Sequence, residues 1–167
     1  MSKSSPEEAQ APVATLPEGV AGRYCHLLDT QKRITMPSVW RSLIPEKAVM
    51  LVVPDPDKER LILLLPSMTQ STQNKTHVQG GEIISPEADD AADFYSQCEN
   101  VKVDDAGRMK IGDWLLDYAK ITEAVLLKGG RDRIYLTAIN KEEVKEKKKT
   151  VDVDALRKSM IKWGLKK

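Results

Sequence analysis

From Gly22 onward the apolar residues fall in short runs, at 24–28, 33–36, 48–53 and 61–65, separated by turn residues. Runs of this length, rich in Val, Ile and Leu, predict strands. Asp55-Pro56-Asp57-Lys58 between the last two predicts a hairpin turn. Pro37-Ser38 ahead of Val39-Trp40-Arg41-Ser42-Leu43-Ile44 predicts a short helix entered through proline. Residues 67–82 read as a polar loop. Ser85-Pro86-Glu87 then opens a helix to about Gln97, with Ser at the cap, Pro first and acids in the first turn. Residues 1–21, rich in Pro, Ser, Glu and Ala, predict a disordered arm.

The pattern then repeats. Asp29…Arg33 in DTQKRITMP returns 75 residues later as Asp104…Arg108 in DDAGRMKIG, and the same offset carries Pro37 to Gly112, Ser38 to Asp113 and Val39 to Trp114. Further on, 48–53 matches 124–128, the 55–60 turn matches 129–133, and 61–65 matches 134–136. Each unit reads as β-turn-β, short helix, β-hairpin. Strand sets this short bury no core alone, so the two copies are expected to pack together or with other chains. The expected division is an arm at 1–21, a first unit at 22–66, a polar loop and connecting helix at 67–97, a second unit at 98–138, and a basic, partly helical tail at 139–167.

Charge alters this picture in two places. The net charge is +1 over 167 residues, but residues 141–167 carry +5. Around the first motif, Arg23, Lys32, Arg33 and Arg41 stand against Asp29, net +3. Over 102–120, four cations meet four acids, net 0. The tail spaces Val153, Leu156, Met160, Ile161 and Trp163 at helical intervals with lysines between them, as in an amphipathic helix or a basic arm. Aromatics are 5% of the chain, so an aliphatic core is expected and a base-stacking RNA module is not. Cys25 and Cys98 lie far apart, and the pair Cys25-His26 finds no second pair to complete a metal site. No apolar leader or spanning run occurs. The expectation is a soluble, cytoplasmic protein without cofactor, metal or small-molecule substrate. No phosphate loop, paired carboxylates or nucleophile–base set points to an enzyme.

An Asp entering a turn accepts backbone N–H bonds two residues on, and an Arg leaving it either pairs with that Asp or reaches outward. The stretches LLDTQKRITMPSVWR and VKVDDAGRMKIGDWLLDYAKITEAVLLKGGRDRIYL resemble the two halves of the MraZ family. That resemblance, over residues 22–138, implies a mainly β fold with short helices. In it, two tandem AbrB-like units form an intertwined pseudo-twofold barrel. It also implies a nucleoid-associated transcriptional regulator that assembles as a ring and binds repeated promoter sites on double-stranded DNA at a cell-division and cell-wall gene cluster. The DNA-contacting residues expected are Arg33, Lys32, Arg23, Arg41 and Arg108, with Asp29 and Asp104 as turn residues. Trp40 and Trp114 are expected in the core or at subunit contacts, and Trp40 and the strand at 61–65 are the candidates for contact with another subunit. Two other functions fit the same residues: an AbrB-like antitoxin that holds a toxin with its tail, and a scaffold that has kept the fold without DNA binding.

Overall fold

The structure, a computed structural model, describes residues 19–77, 83–145 and 150–167. Its strands are β1 (Arg23–Leu27), β2 (Ile34–Thr35), β3 (Met50–Pro54), β4 (Leu61–Leu64), β5 (Glu99–Val101), β6 (Arg108–Met109), β7 (Ala124–Gly129) and β8 (Arg133–Ile139). Its helices are α1 (Ser38–Arg41), α2 (Pro66–Lys75), α3 (Pro86–Tyr95), α4 (Asp113–Tyr118), α5 (Lys141–Lys145) and α6 (Val153–Lys162). The fold is α+β. One antiparallel sheet has the order β1-β7-β8-β4-β3-β5, and β2 pairs with β6 in a separate two-stranded ribbon.

The first strand of each half is hydrogen-bonded to the other half. β1 lies on β7 with His26 facing Val125, and β5 lies on β3 with Val101 facing Met50. Val101 is 75 residues after His26, and Val125 is 75 after Met50, so one register is written twice. In the ribbon Ile34 faces Met109, its own counterpart at the same offset. Across β4 and β8, Leu61 faces Leu136 and Leu63 faces Ile134. Here the offset has fallen to 73, because two fewer residues separate Gly129 from Ile134 than separate Pro54 from Leu61. The offset of 75 still holds through β3 and β7, where the sequence match of 48–53 to 124–128 had it slipping by one.

The ribbon and the two short helices α1 and α4 close over one face of the sheet. Ile34, Met36, Trp40, Met109, Ile111, Leu115 and Leu116 meet Met50, Val52, Leu61, Leu63, Val101, Val125, Leu127, Ile134 and Leu136 in one buried cluster. As expected, the core is mostly aliphatic, and Met36, Met50 and Met109 add sulfur to it. Its one tryptophan, Trp40, meets Tyr24 edge-to-face at 5.0 Å and donates from Nε1 to the Ala21 carbonyl at 2.9 Å. α1 and α4 start alike: the Pro37 carbonyl accepts from Trp40 and Arg41, and the Gly112 carbonyl accepts from Leu115 and Leu116.

Four expectations change. Residues 67–82 were expected as a polar loop, but Pro66–Lys75 is helical, with Pro66 in its first turn. The helix buries only Thr69, so its sequence shows no apolar period. Residues 78–82 of that stretch lie outside the described residues. The arm expected to end at residue 21 joins the fold earlier: Val20 is buried and exchanges backbone hydrogen bonds with Arg131. Residues 1–18 of the arm lie outside the described residues. Trp40 and the strand at 61–65, expected as candidates for contact with another subunit, are spent inside the chain, one in the core and one as a central strand. Trp114, by contrast, is 48% exposed. The helix opened by Ser85 forms as expected, its cap hydroxyl accepting from the Ala88 amide at 3.1 Å.

Thr69 is the rivet between α2 and the sheet. Its buried hydroxyl donates to the Leu64 carbonyl at 2.9 Å and accepts from the Leu51 amide at 3.2 Å. Thr69→Val keeps the shape and strips both bonds. Denaturant unfolding is expected to show a loss of about 1–3 kcal/mol.

Candidate functional site

The two Asp-x-x-x-Arg turns enter the ribbon from its opposite ends, and Arg33 and Arg108 lie on its outer face, alternating with the buried Ile34 and Met109. In the first, Asp29 Oδ1 accepts from the amides of Gln31 and Arg33, both at 2.8 Å, and the Asp29 carbonyl accepts from Lys32 at 2.9 Å. In the second, Asp104 Oδ1 accepts from Ala106 at 2.9 Å and Arg108 at 2.8 Å, and its carbonyl accepts from Gly107 at 2.9 Å. The two turns are the same object 75 residues apart. Each needs a left-handed residue in fourth place. The second turn supplies Gly107 at φ +81°, and the first supplies Lys32 at φ +61°, a conformation that costs a side-chain-bearing residue about 1–2 kcal/mol.

The arginines differ in how they are held. Arg33 donates from Nε to Asp29 Oδ2 at 2.7 Å. Arg108 Nε stands 3.3 Å from Asp104 Oδ2, within ion-pair range but without hydrogen-bond alignment. The amides and guanidinium of each turn favour the ionised acid. The Arg33 amide first, and then its side chain, hold Asp29 below its ordinary value, and the Arg108 amide does the same for Asp104.

Two contacts that no local spacing announces join the turns. Arg41, at the end of α1, reaches across to donate to the Asp105 carbonyl at 3.3 Å, and its guanidinium lies over Gly107. Lys110, following β6, reaches back to the Gln31 carbonyl at 2.8 Å. The charge therefore redistributes. Lys32, Arg33 and Lys110 surround Asp29, net +2, while Arg41 and Arg108 face Asp104 and Asp105, net 0. Lys110 belongs to this cluster and was missed as a site residue, since its partner is 79 positions away. Arg23 does not belong to it. It opens β1, six residues or roughly 20 Å of strand before Asp29, and donates to the Thr150 carbonyl. Five cations and three acids thus share one surface.

The same Asp–Arg device also appears away from this surface. At the β3–β4 turn Asp55 accepts from the Asp57 amide at 2.9 Å and from Arg60 Nε at 2.7 Å, and Arg60 lies 4.0 Å from the centre of the Tyr135 ring. The Arg60 guanidinium first, then the Asp57 amide, hold the Asp55 carboxyl low. An Asp–Arg pair is therefore a general turn pin in this chain. What distinguishes the turns at 29–33 and 104–108 is their shared surface and the cations delivered to it.

Beside the second turn lies a cleft of about 580 Å³, lined by Arg41, Lys47, Glu46, Asp104 and Asp105 among others. Its charges are mixed. Among the described residues no group of His, Cys, Asp and Glu has the arrangement of a metal site, and no helix is long and apolar enough to cross a membrane. Cys25 and His26 follow one another in β1, so their side chains leave on opposite faces. The Cys98 thiol is pushed up to about 11 by burial, away from nucleophile chemistry at neutral pH. No protein-family model and no curated protein matches the chain.

Two predictions come from the turns. Lys32→Gly removes the left-handed strain and is expected to stabilise the fold by about 0.5–1 kcal/mol in thermal or denaturant melts. The three depressed Asp carboxyls contribute stability that is present above the unfolded value of about 3.8 and lost as pH falls through their lower folded values. Melts of the wild type from pH 6 down to pH 2 are thus expected to fall mainly below 3.8. The double variant Asp29→Asn/Asp104→Asn is expected to start lower at pH 6 and fall less steeply.

Proposed function

We propose that this protein is a DNA-binding transcriptional regulator of the MraZ type, built as two tandem AbrB-like units in an intertwined pseudo-twofold barrel and acting as a ring on repeated sites in double-stranded DNA. One observation carries this reading: two geometrically matched Asp-pinned turns, joined by the ribbon and cross-linked by Arg41 and Lys110, share its outer face with Lys32, Arg33 and Arg108. The repeat of the strand register at an offset of 75 supports the two-unit architecture. Phosphate neutralisation supplies most of the affinity for DNA, and the charge need be only local, so a net charge of +1 is no obstacle. Regulation of a cell-division and cell-wall gene cluster, and residence at the nucleoid, rest on the sequence resemblance alone.

Within this surface the first turn is the stronger anion seat. Arg33 is anchored through Nε by Asp29, which leaves its two terminal amino groups in a fixed plane, suited to guanine O6 and N7. Lys32 at the turn tip and Lys110 beside it contribute phosphate contacts. A second reading, that of a scaffold without DNA binding, is favoured by the Asp55–Arg60 turn, where the same pair serves only to pin a hairpin.

Genomic DNA pulled down with the protein and sequenced gives the cognate site, on which the two readings separate. Arg33→Ala is expected to cost about 1–3 kcal/mol of binding, as for a lost bidentate base contact, and more than Arg108→Ala. Lys32→Gly, expected to stabilise the fold, is expected to lower the slope of log K against log salt by roughly 0.9 for each phosphate contact removed. Equal losses for Arg33→Ala and Arg108→Ala would remove the asymmetry. No loss in either folded variant would leave both motifs as turn pins and favour the scaffold.

A further inference from the structure

The carboxy-terminal helix α6 is built to stand alone yet carries an uncovered apolar stripe. Asp152 caps its start, Oδ1 accepting from the Ala155 amide at 3.0 Å. Its end closes with Gly164 at φ +74°, the Leu165 amide bonded to the Met160 carbonyl at 2.7 Å and the Gly164 amide to the Ile161 carbonyl at 3.1 Å. Both ends are satisfied without help from the body. Val153, Leu156, Met160 and Trp163 follow at spacings of three, four and three, a continuous stripe down one side. Every residue of α6 except Met160 is nevertheless exposed, and Trp163 just beyond it is 74% exposed. Upstream, the Thr150 carbonyl is held by Arg23, so the helix leaves the body from the start of β1.

A second surface has the opposite charge. α4 presents Trp114 and Tyr118 in one column, 48% and 40% exposed, and Asp113 and Asp117 in the adjacent column. Trp114 stands 75 residues after Val39, which is also exposed on α1, so this is the outward position of both short helices. On α4 it carries the largest apolar side chain, flanked by acids. Residues 150–167 carry five cations against two acids, net +3. Arg157 falls at the margin of the stripe, where a docked α6 would bring it against the acidic column. Exposed Trp and Tyr with Arg opposite are the residue types that anchor protein interfaces.

We propose that α6 of one copy of this chain docks on the Trp114–Tyr118 face of α4 in a second copy, apolar stripe on aromatic column and Arg157 towards Asp113 and Asp117. Donor and acceptor are different surfaces, so the contact is heterologous: each copy gives a helix to one neighbour and takes one from another, and the chain of contacts closes into a ring or runs on as a filament. This inference rests on the ring assembly in the proposed function and not on DNA binding, so a failure here leaves the DNA-binding tests of Arg33→Ala and Arg108→Ala untouched.

The test uses two full-length variants. Trp114→Ala spoils the seat and keeps the helix, whereas Leu156→Glu spoils the helix and keeps the seat. Leu156 is half exposed and lies outside the buried core cluster, and Asp117→Lys serves as a second seat variant with the indole intact. Circular dichroism checks that each folds. In sedimentation at micromolar concentration the wild type is expected to form assemblies larger than a dimer. Each variant alone is expected to associate at least about tenfold more weakly, as for loss of one interface anchor. Mixing Trp114→Ala with Leu156→Glu leaves one good helix and one good seat, so the mixture is expected to form a one-to-one dimer and stop. A monomeric wild type, single variants of wild-type mass, or a mixture that behaves as its components would each overturn the proposal. So would flotation of the wild type, but not of Leu156→Glu, with phosphatidylglycerol vesicles and no change in mass, since the stripe would then cover lipid.

Discussion

β1 and β5 each find their hydrogen-bonding partner in the opposite half of the chain, β1 on β7 and β5 on β3. Neither half, taken alone, satisfies the backbone groups of its own first strand. The sheet becomes continuous only when each half lends a strand to the other, and the ribbon of β2 and β6 forms because those lent strands run on into it. Everything at the candidate site follows. The turns at 29–33 and 104–108 join the lent strands to the ribbon, so the exchange that completes the sheet also sets the two turns on one surface.

The repeat, the turns and the α3 cap were readable because they rest on local chemistry: an Asp two residues before an amide, a Ser before Pro86, a Gly where φ is positive. The offset of 75 even predicts the register of β1 on β7 from that of β5 on β3. Other features were not readable. α2 buries only a threonine, so its helical character leaves no trace in the apolar pattern. Arg41 and Lys110 were counted with the halves in which they are written, and each acts on the turn of the other. Arg23 is near the first motif in sequence, but an extended strand carries it away from the turn. Local spacing records what a residue does within a few positions. Partners 64 and 79 positions away are set by the exchange.

The two turns also show geometry and charge drawing on the same positions. At the fourth residue of the turn the backbone favours glycine, which the second turn has in Gly107. The first turn keeps Lys32 there, at a conformational cost, and gains a cation at its tip. Asp29 is similarly double: it subtracts from the positive charge of the surface while fixing the Arg33 guanidinium through Nε. A surface that needed only positive charge would keep Lys32 and dispense with Asp29. One that presents a guanidinium in a set orientation has a use for the Asp.

The lent strands interlock the halves, so the link between α2 and α3 is not what holds them together. A cut there would free two new chain ends but leave two strand pairings across the break, along with the ribbon and the contact of β4 with β8. The covalent link acts instead before folding, by keeping each half at a high effective concentration for the other and fixing one-to-one pairing. A fused pair is also released from the identity that would bind two copies of a single shorter chain. Position by position, one half can hold Lys32 and Val39 where the other holds Gly107 and Trp114, and each difference is felt once per molecule rather than twice.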